Sequence, residues 1–407
     1  MTPAPLRLAV PFAGCLWRGR FRSMALRLAP ALAALLLAAC TTPPKPTLTV
    51  ALLHDELFDA RAQRIDPGDL FAMSDEMRAY ADRELSALSP HRDPRRSLID
   101  ALYRERQLRL SYDAGWTRNA AEAFAARSGN CLSLVIMTAT FARHLGLPVA
   151  YQSVEVGEFY SRQGDLFLAS GHVNLVLGTP RVRGLRSNYE DASLTVDFVS
   201  QNELLGQHTR PIEEKTIEAM YLNNRAAEAL AAGRLDEAYG WARQALLRDP
   251  GFLAAANTLG VIYNRAGHGG PAEDVLRHVL AYEPENTSAL SNLVGLLGRA
   301  GRAAEAQALS ARLVQLQPLP PFHHFGLGRQ AMADGNPQRA LELFKRELRR
   351  QPYQDEVHFW AAQAYAQLGQ PDAAARHLRL AIDNSGSPAG RDGYSAKLAH
   401  LRAGTPR

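Results

Sequence analysis

Small and hydrophobic residues recur at a fixed interval in the C-terminal half of the chain. A glycine, an alanine, a large apolar residue and a proline each return every 34 residues. The four columns are Gly233, Gly267, Gly301, Gly335 and Gly369; Ala238, Ala272, Ala306, Ala340 and Ala374; Leu246, Leu280, Val314, Leu348 and Ile382; and Pro250, Pro284, Pro318 and Pro352. A period of this length indicates a solenoid of repeated units. Because glycine allows a turn at positive φ and proline ends a helix, each unit is predicted to be two helices joined by a turn.

The 34-residue unit resembles the tetratricopeptide repeat (TPR). The resemblance implies five repeats over about residues 219 to 388, stacked into an all-α superhelix whose concave face binds a protein or peptide partner, with residues 389 to 407 as a C-terminal tail. The fourth repeat departs from the pattern in its proline-rich start, "PLPPFHHF". His323 and His324 in that stretch are expected to point apart, which favours surface or packing roles over a metal site.

Residues 67 to 205 have a different pattern, in which helices are followed by strands. Apolar positions at helical spacing predict helices near 72 to 87, 94 to 106, 117 to 127 with Thr117 as the N-cap, and from Cys131 to about Leu145. In "SGN", Gly129 is expected to close one helix and Asn130 to cap the next. Strands are predicted at 149 to 156, 172 to 177 and 194 to 198. Helices followed by strands predict an α+β domain with a largely antiparallel sheet.

The N-terminus is predicted to be a targeting segment rather than part of a fold. Residues 28 to 39 are an apolar run of twelve, which is too short to span a bilayer and fits the hydrophobic region of a signal peptide. The run ends in Leu37-Ala38-Ala39-Cys40, which resembles a bacterial lipobox and implies a signal peptide over residues 1 to 39, with a possible true start at Met24, and lipidation of Cys40. A cleaved secretory signal with an incidental cysteine is the alternative. Residues 40 to 66 would form a tether and linker, and Thr41 favours the outer membrane, facing the periplasm.

The signal segment changes what the charge and the cysteines mean. The formal charge of +5 comes from five arginines in the first forty residues, and the rest of the chain balances 41 bases against 41 acids. No nucleic-acid partner is therefore expected. With Cys15 removed and Cys40 lipidated, Cys131 is the single remaining cysteine and has no disulfide partner in an oxidising compartment.

Cys131 is a candidate nucleophile because of its position at the start of a helix. The unpaired N–H groups and the positive end of the helix dipole favour the thiolate there. Acyl transfer by cysteine also needs a base and a group that orients the base. His172 at the start of the second strand and Asp197 in the third would provide them if these strands pair next to the cysteine helix.

The same residues carry a family resemblance. "RSGNCLSLVIMTATFARHLGLPVAYQSVEV", "GHVNLVL" and "LTVDF" resemble the transglutaminase-like superfamily of papain-type cysteine enzymes over about residues 107 to 200. The resemblance implies Cys131 as nucleophile, His172 as general base and acid, and Asp197 as the residue that orients it. Leu132 stands where a tryptophan is frequent, and Val-Asn follows His172 in place of an aromatic residue, which leaves the substrate class open.

Several other residues compete for roles at this site. His144 is an alternative histidine near the other end of the cysteine helix, and Glu190 and Asp191 are alternatives to Asp197. Asn130 is first a helix cap and second a candidate oxyanion donor. Trp116 and Tyr112 could line the cleft, although core packing is the more common role of aromatic residues.

Two functions of different classes follow. The first is a lipid-anchored enzyme that attacks an amide or isopeptide bond through Cys131 and forms a thioester, with the repeats binding a protein partner or substrate. The second is a non-catalytic TPR adaptor with a structural transglutaminase-like module. The three residue types together favour the enzyme. The sequence has no phosphate-binding loop, no His-Glu-x-x-His, no paired cysteines and no Gly-x-Ser-x-Gly, so we expect neither a metal nor a cofactor.

Overall fold

The fold is taken from a computed structural model. The model describes residues 50–59, 65–85, 93–103, 111–113, 116–163, 166–178, 193–198, 208–352, 354–385 and 388–403. All of them belong to one compact unit, Pro46–Arg407. The predicted signal peptide and Cys40 lie outside the described residues. Within the described ranges, no helix combines the length and the apolar character needed to cross a membrane.

Two one-turn 3-10 helices, Val50–Leu52 and Asp55–Leu57, precede the helical half of the α+β part. Among the described residues of this part, four α-helices then follow: α1 (Asp75–Tyr80, continued by a π-helical turn, Ala81–Leu85), α2 (Pro94–Tyr103), α3 (Ala120–Ala126) and α4 (Cys131–His144). Two predictions about their ends are wrong. The N-cap of α3 is Asn119, not Thr117, because Asn119 forms a reciprocal capping box with Glu122. Arg127, and not Gly129, ends α3 in the left-handed conformation.

Helix α4 is the central element of this part. Its residues 132 to 142 are all buried, so the helix is covered on every side rather than on one face. Burying a large aliphatic or aromatic side chain contributes about 1.5–3 kcal/mol relative to leaving it exposed. This burial fixes the helix, and with it the position of Cys131 at its first turn.

A four-stranded antiparallel sheet packs beside α4. Its strands are β3 (Val149–Gln163), β4 (Leu166–Leu177), β5 (Leu194–Val196) and β6 (His208–Ile212), in the order β5-β4-β3-β6. The three predicted strands are therefore neighbours in one sheet, and β6 is an edge strand that was not predicted. Two further short strands, β1 (Ser111–Tyr112) and β2 (Ser128–Gly129), pair in parallel just before the cysteine helix.

The C-terminal half is a solenoid of paired helices. They are α5 (Glu214–Ala231), α6 (Leu235–Arg248), α7 (Leu253–Arg265), α8 (Gly269–Tyr282), α9 (Thr287–Arg299), α10 (Ala303–Leu316), α11 (His323–Ala333), α12 (Pro337–Arg350), α13 (Asp355–Gln367), α14 (Pro371–Asn384) and α15 (Pro388–Ala403). Five helix pairs match the five predicted repeats. The first pair begins at Glu214, and α15 occupies most of the stretch that was predicted to be a C-terminal tail.

The periodic columns have the roles that their chemistry predicts. All five turn glycines have positive φ, between 69° and 86°. All five column alanines are buried where the paired helices meet. Glycine therefore makes the turn, and alanine lets the two helices of each pair approach closely.

The hydrophobic core is divided within the solenoid. One buried cluster runs from the α+β part through the first repeats to Ala306, and a second begins at Phe322. The proline-rich stretch lies between them. As a result Val314, a member of the large apolar column, is 56% exposed, whereas its counterpart Leu246 is 2% exposed.

Candidate active site

The first turn of α4 is held by its own sequence. Asn130 caps the helix, and its Oδ1 accepts a hydrogen bond from the backbone N–H of Ser133 at 2.9 Å. A Cβ atom at Gly129 would lie 2.7 Å from the Cβ of Ser133, so the close approach requires glycine. Cys131 is the first residue of the helix, a half-buried free thiol at the positive end of the dipole.

Strand pairing brings His172 and Asp197 together. His172 lies on β4 opposite Val154, beside a break in the β3–β4 register, and is 5% exposed. Asp197 directly follows β5, whose Val196 pairs with Leu175 of β4. The Nε2 atom of His172 is 2.7 Å from the Oδ1 atom of Asp197. Nδ1 is therefore the ring nitrogen that remains for a second partner.

The Cys131 side chain acts on the same imidazole. Burial lowers the pKa of His172, but hydrogen bonding to Asp197 and to Cys131, together with the charges of both groups, raises that pKa from 6.5 to about 9. The imidazolium form is thus favoured between the thiol and the carboxylate. The three residues that the sequence singled out lie together, and their catalytic roles stay predictions.

Asn174 is a site residue that the sequence reasoning missed. Its Nδ2 atom is 3.4 Å from Asp197 Oδ2, and its buried Oδ1 atom has no hydrogen-bond partner among the described residues. Residues two apart on a strand share a face, so His172 and Asn174 both point towards Asp197. That alternation was the signal in the sequence that could have identified Asn174.

The Asn130 side chain is engaged at both ends of its amide. Its Nδ2 atom donates to the Thr117 hydroxyl at 2.9 Å, while Oδ1 accepts from both the backbone and the hydroxyl of Ser133. The Ser133 hydroxyl in turn accepts a hydrogen bond from the backbone N–H of Arg118 at 2.8 Å. The capping role of Asn130 is confirmed, and its role as an oxyanion donor stays a prediction.

The competing residues are distributed as follows. His144 is exposed at the far end of α4, and 13 residues at 1.5 Å each place it about 20 Å from Cys131. Glu190 and Asp191 lie outside the described residues. Trp116 is 48% exposed rather than in the core, and the Arg225 guanidinium lies 6.0 Å from its ring centroid. The backbone of Tyr112 pairs with Gly129.

His323 and His324 are not arranged as predicted. Their rings lie edge to face with centroids 5.3 Å apart, so the expectation that they point apart is wrong. The buried Glu347 carboxylate accepts from the backbone N–H groups of His324 and Phe325 at the start of this helix. Across the described part of the chain, no three His, Cys, Asp or Glu side chains gather as a metal site would require.

Comparison with known proteins supports the repeats. Residues 331–389 match the family model of the tetratricopeptide repeat. The C-terminal half is a solenoid of paired helices that contains tetratricopeptide repeats at residues 331–389. The helix pairs, the turn glycines and the family match agree on this, and the matched residues lie in the solenoid. No curated protein matches the chain.

Solved structures that resemble part of this chain include MamA and two proteins described as TPR proteins. A point mutant of MamA is 24% identical and covers 42% of this chain and 98% of its own, with a TM-score of 0.24. TTC0263 from Thermus thermophilus is 17% identical over 46% of this chain and 99% of its own, with a TM-score of 0.29. YrrB, described as a TPR protein with an unusual peptide-binding site, is 21% identical over 44% and 92%, with a TM-score of 0.24. With TM-scores this low, the likenesses carry no argument about partners of this chain.

Proposed function

We propose that the α+β part is a transglutaminase-like cysteine centre that acts on an amide or isopeptide bond. The observation that supports the proposal most directly is the buried His172, whose imidazole bonds to Asp197 at 2.7 Å and whose pKa is raised by Cys131 as well. A nucleophile, a base and an orienting carboxylate are what acyl transfer through a thioester needs.

The reaction would proceed in two balanced steps. The Cys131 thiolate attacks the carbonyl carbon and a C–S bond forms, while the backbone N–H of Cys131 faces the developing oxyanion. The C–N bond then breaks as the imidazolium of His172 donates its proton to the departing amine. In the second step water or another amine attacks the thioester, gives its proton to His172 and releases the Cys131 thiolate. Water gives hydrolysis, and an amine gives cross-linking.

The proposed enzyme is anchored and has a binding array. We propose lipidation at Cys40, placement at the outer membrane facing the periplasm, and a protein partner or substrate on the concave face of the solenoid. The charge balance beyond the first forty residues, 41 bases against 41 acids, supports a protein partner rather than nucleic acid.

The test is the alkylation rate of Cys131, followed by mass spectrometry of the peptide that contains it. At pH 6.5 we expect iodoacetamide to label Cys131 faster than a free model thiol, and His172→Ala to remove the excess rate. His144→Ala is the matched control, because it removes a histidine from the other end of the same helix. The proposal fails if wild-type Cys131 labels no faster than the model thiol.

That negative result would favour the second candidate, a non-catalytic adaptor. The observation on its side is that the family match falls in the solenoid, at residues 331–389. In an adaptor, the α+β part would serve as a structural or binding module and the repeats would hold the partner.

A further inference from the structure

The first helix of the solenoid contacts the loop that supports the cysteine helix. Glu228 of α5 accepts a hydrogen bond at 2.8 Å from the backbone N–H of Thr117, 111 residues earlier in the chain. Arg225, one turn before Glu228, donates a hydrogen bond to the carbonyl oxygen of Thr117 at 3.5 Å. Both backbone groups of Thr117 are therefore bound by α5.

Thr117 is also the residue that holds the cap of α4. It is 1% exposed, and its hydroxyl accepts from the Asn130 side chain at 2.9 Å. Since the Ser133 N–H can only donate, Oδ1 of Asn130 faces Ser133 and Nδ2 is left to donate to Thr117. A continuous series of hydrogen bonds thus leads from Glu228 through Thr117 and Asn130 to the first turn of α4, where Cys131 lies.

Glu228 is a largely buried carboxylate, and its burial costs free energy. Burial raises the pKa of Glu228 above its ordinary value, although hydrogen bonds from the backbone and the side chain of Thr117 and the charges of Arg225 and Arg118 act to lower it. One of its carboxylate oxygens is buried without a hydrogen bond among the described residues, although Arg225 Nε lies 3.4 Å away. A buried carboxylate is expensive unless its contacts compensate.

We propose that Glu228 is a positioning residue for Cys131, and that it acts through Thr117 and the Asn130 cap. The inference rests on the proposed function, because it presumes that Cys131 is the nucleophile. It makes the solenoid part of the site's support, so the α+β part depends on α5 for the placement of its thiol. A small misplacement of a reacting group can lower a rate by about 10-fold or more.

The experiment compares two substitutions in the full chain. Glu228→Ala removes the acceptor for the Thr117 N–H, and we expect it to lower the alkylation rate of Cys131 by about 10-fold and to change its pH profile between about pH 5 and 10. Glu228→Gln keeps an acceptor oxygen and should restore both the rate and the profile. Glu273→Ala, which removes a carboxylate of α8 paired with Arg302, is the matched control and should leave both unchanged.

A second pair guards against a variant that fails to fold. Thr117→Val removes the hydroxyl, and with it the acceptor for Asn130 and the side-chain bond to Glu228, but keeps the backbone N–H bond to Glu228. It should reproduce the loss, while Thr117→Ser should not. The positioning role is overturned if wild-type Cys131 is activated and Glu228→Ala and Thr117→Val both keep the wild-type profile. If wild-type Cys131 reacts like a model thiol, the proposed function itself has failed, and the positioning role with it.

Discussion

One histidine in each region has a strongly shifted pKa, and the two shifts have opposite directions: His172 is buried and His377 is half-buried. In the α+β part, the pKa of His172 is raised to about 9 despite burial, because Asp197 and Cys131 are beside it. In the last repeat, burial and the neighbouring His358 lower the pKa of His377 to about 4. Burial disfavours the charged ring in both places, so the carboxylate and the thiol are what make the difference.

His172 with Asp197 and His377 with His358 also differ in their hydrogen bonds. His377 Nδ1 is 3.1 Å from His358 Nδ1, and His358 Nε2 is 2.9 Å from the carbonyl oxygen of Pro352. Since that carbonyl can only accept, a neutral His358 donates through Nε2 and accepts from His377 through Nδ1. This pair fits neutral rings in a packing role, whereas the His172 pair fits a charged ring.

The largest expected effect comes from making His172 resemble His377. Asp197→Ala removes the carboxylate and leaves a buried imidazole, so the pKa of His172 should fall and the alkylation rate of Cys131 at pH 6.5 should fall by about 100-fold or more. Asp274→Ala, an exposed carboxylate of α8, is the control. An unchanged rate in Asp197→Ala would show that the carboxylate does not set the state of His172.

An intermediate effect tests the division of the solenoid core. Leu246→Ala should lower the free energy of unfolding by about 2–5 kcal/mol, because it empties a fully packed position. Val314→Ala occupies the same column but is half exposed, so we expect a change within about 0.5 kcal/mol. Urea denaturation of both variants gives the comparison. Equal losses would mean that Val314 is covered in solution and that the core is continuous.

The smallest expected effect is a change in how stability depends on pH. The contribution of His172 is complete below its ordinary pKa of 6.5 and is lost as pH rises through about 9, because its pKa is raised on folding. The contribution of His377 depends on pH in the opposite direction, because its pKa is lowered on folding. As pH falls from 6.5 through about 4, the unfolded chain binds a proton at this histidine before the folded chain does, and stability is lost.

Urea midpoints between about pH 4 and 10 measure the acid limb of the stability curve, assigned to His377, and the alkaline limb, assigned to His172. His377→Gln should flatten the acid limb and His172→Gln the alkaline limb, with His400→Gln on the exposed face of α15 as the control. A wild-type acid limb in His377→Gln would contradict the assignment of that limb to His377.

The solenoid was predictable because each residue of its repeating columns meets a requirement of the local backbone or of the nearest helix. A turn at positive φ needs glycine, a close helix crossing needs alanine, and the requirement returns every 34 residues. The identities of Cys131, His172 and Asp197 were also accessible, since each is a reactive residue type in or beside an element that the sequence predicts. Thr117 was misassigned as an N-cap, because its bonds are to residues distant in sequence.

The sequence by itself determined the repeat period, the helix pairs, the capped start of α4 and the three residues that compose the candidate site. Only the tertiary structure decided that β4 and β5 pair so that His172 meets Asp197, that Asn174 joins them, and that α5 binds Thr117 beneath the Asn130 cap. It also decided that Val314 is exposed although its column is apolar. The physical reason is that propensity and capping act between near neighbours in the chain. A pKa, a buried carboxylate or a gap in the core depends instead on groups that meet only after folding.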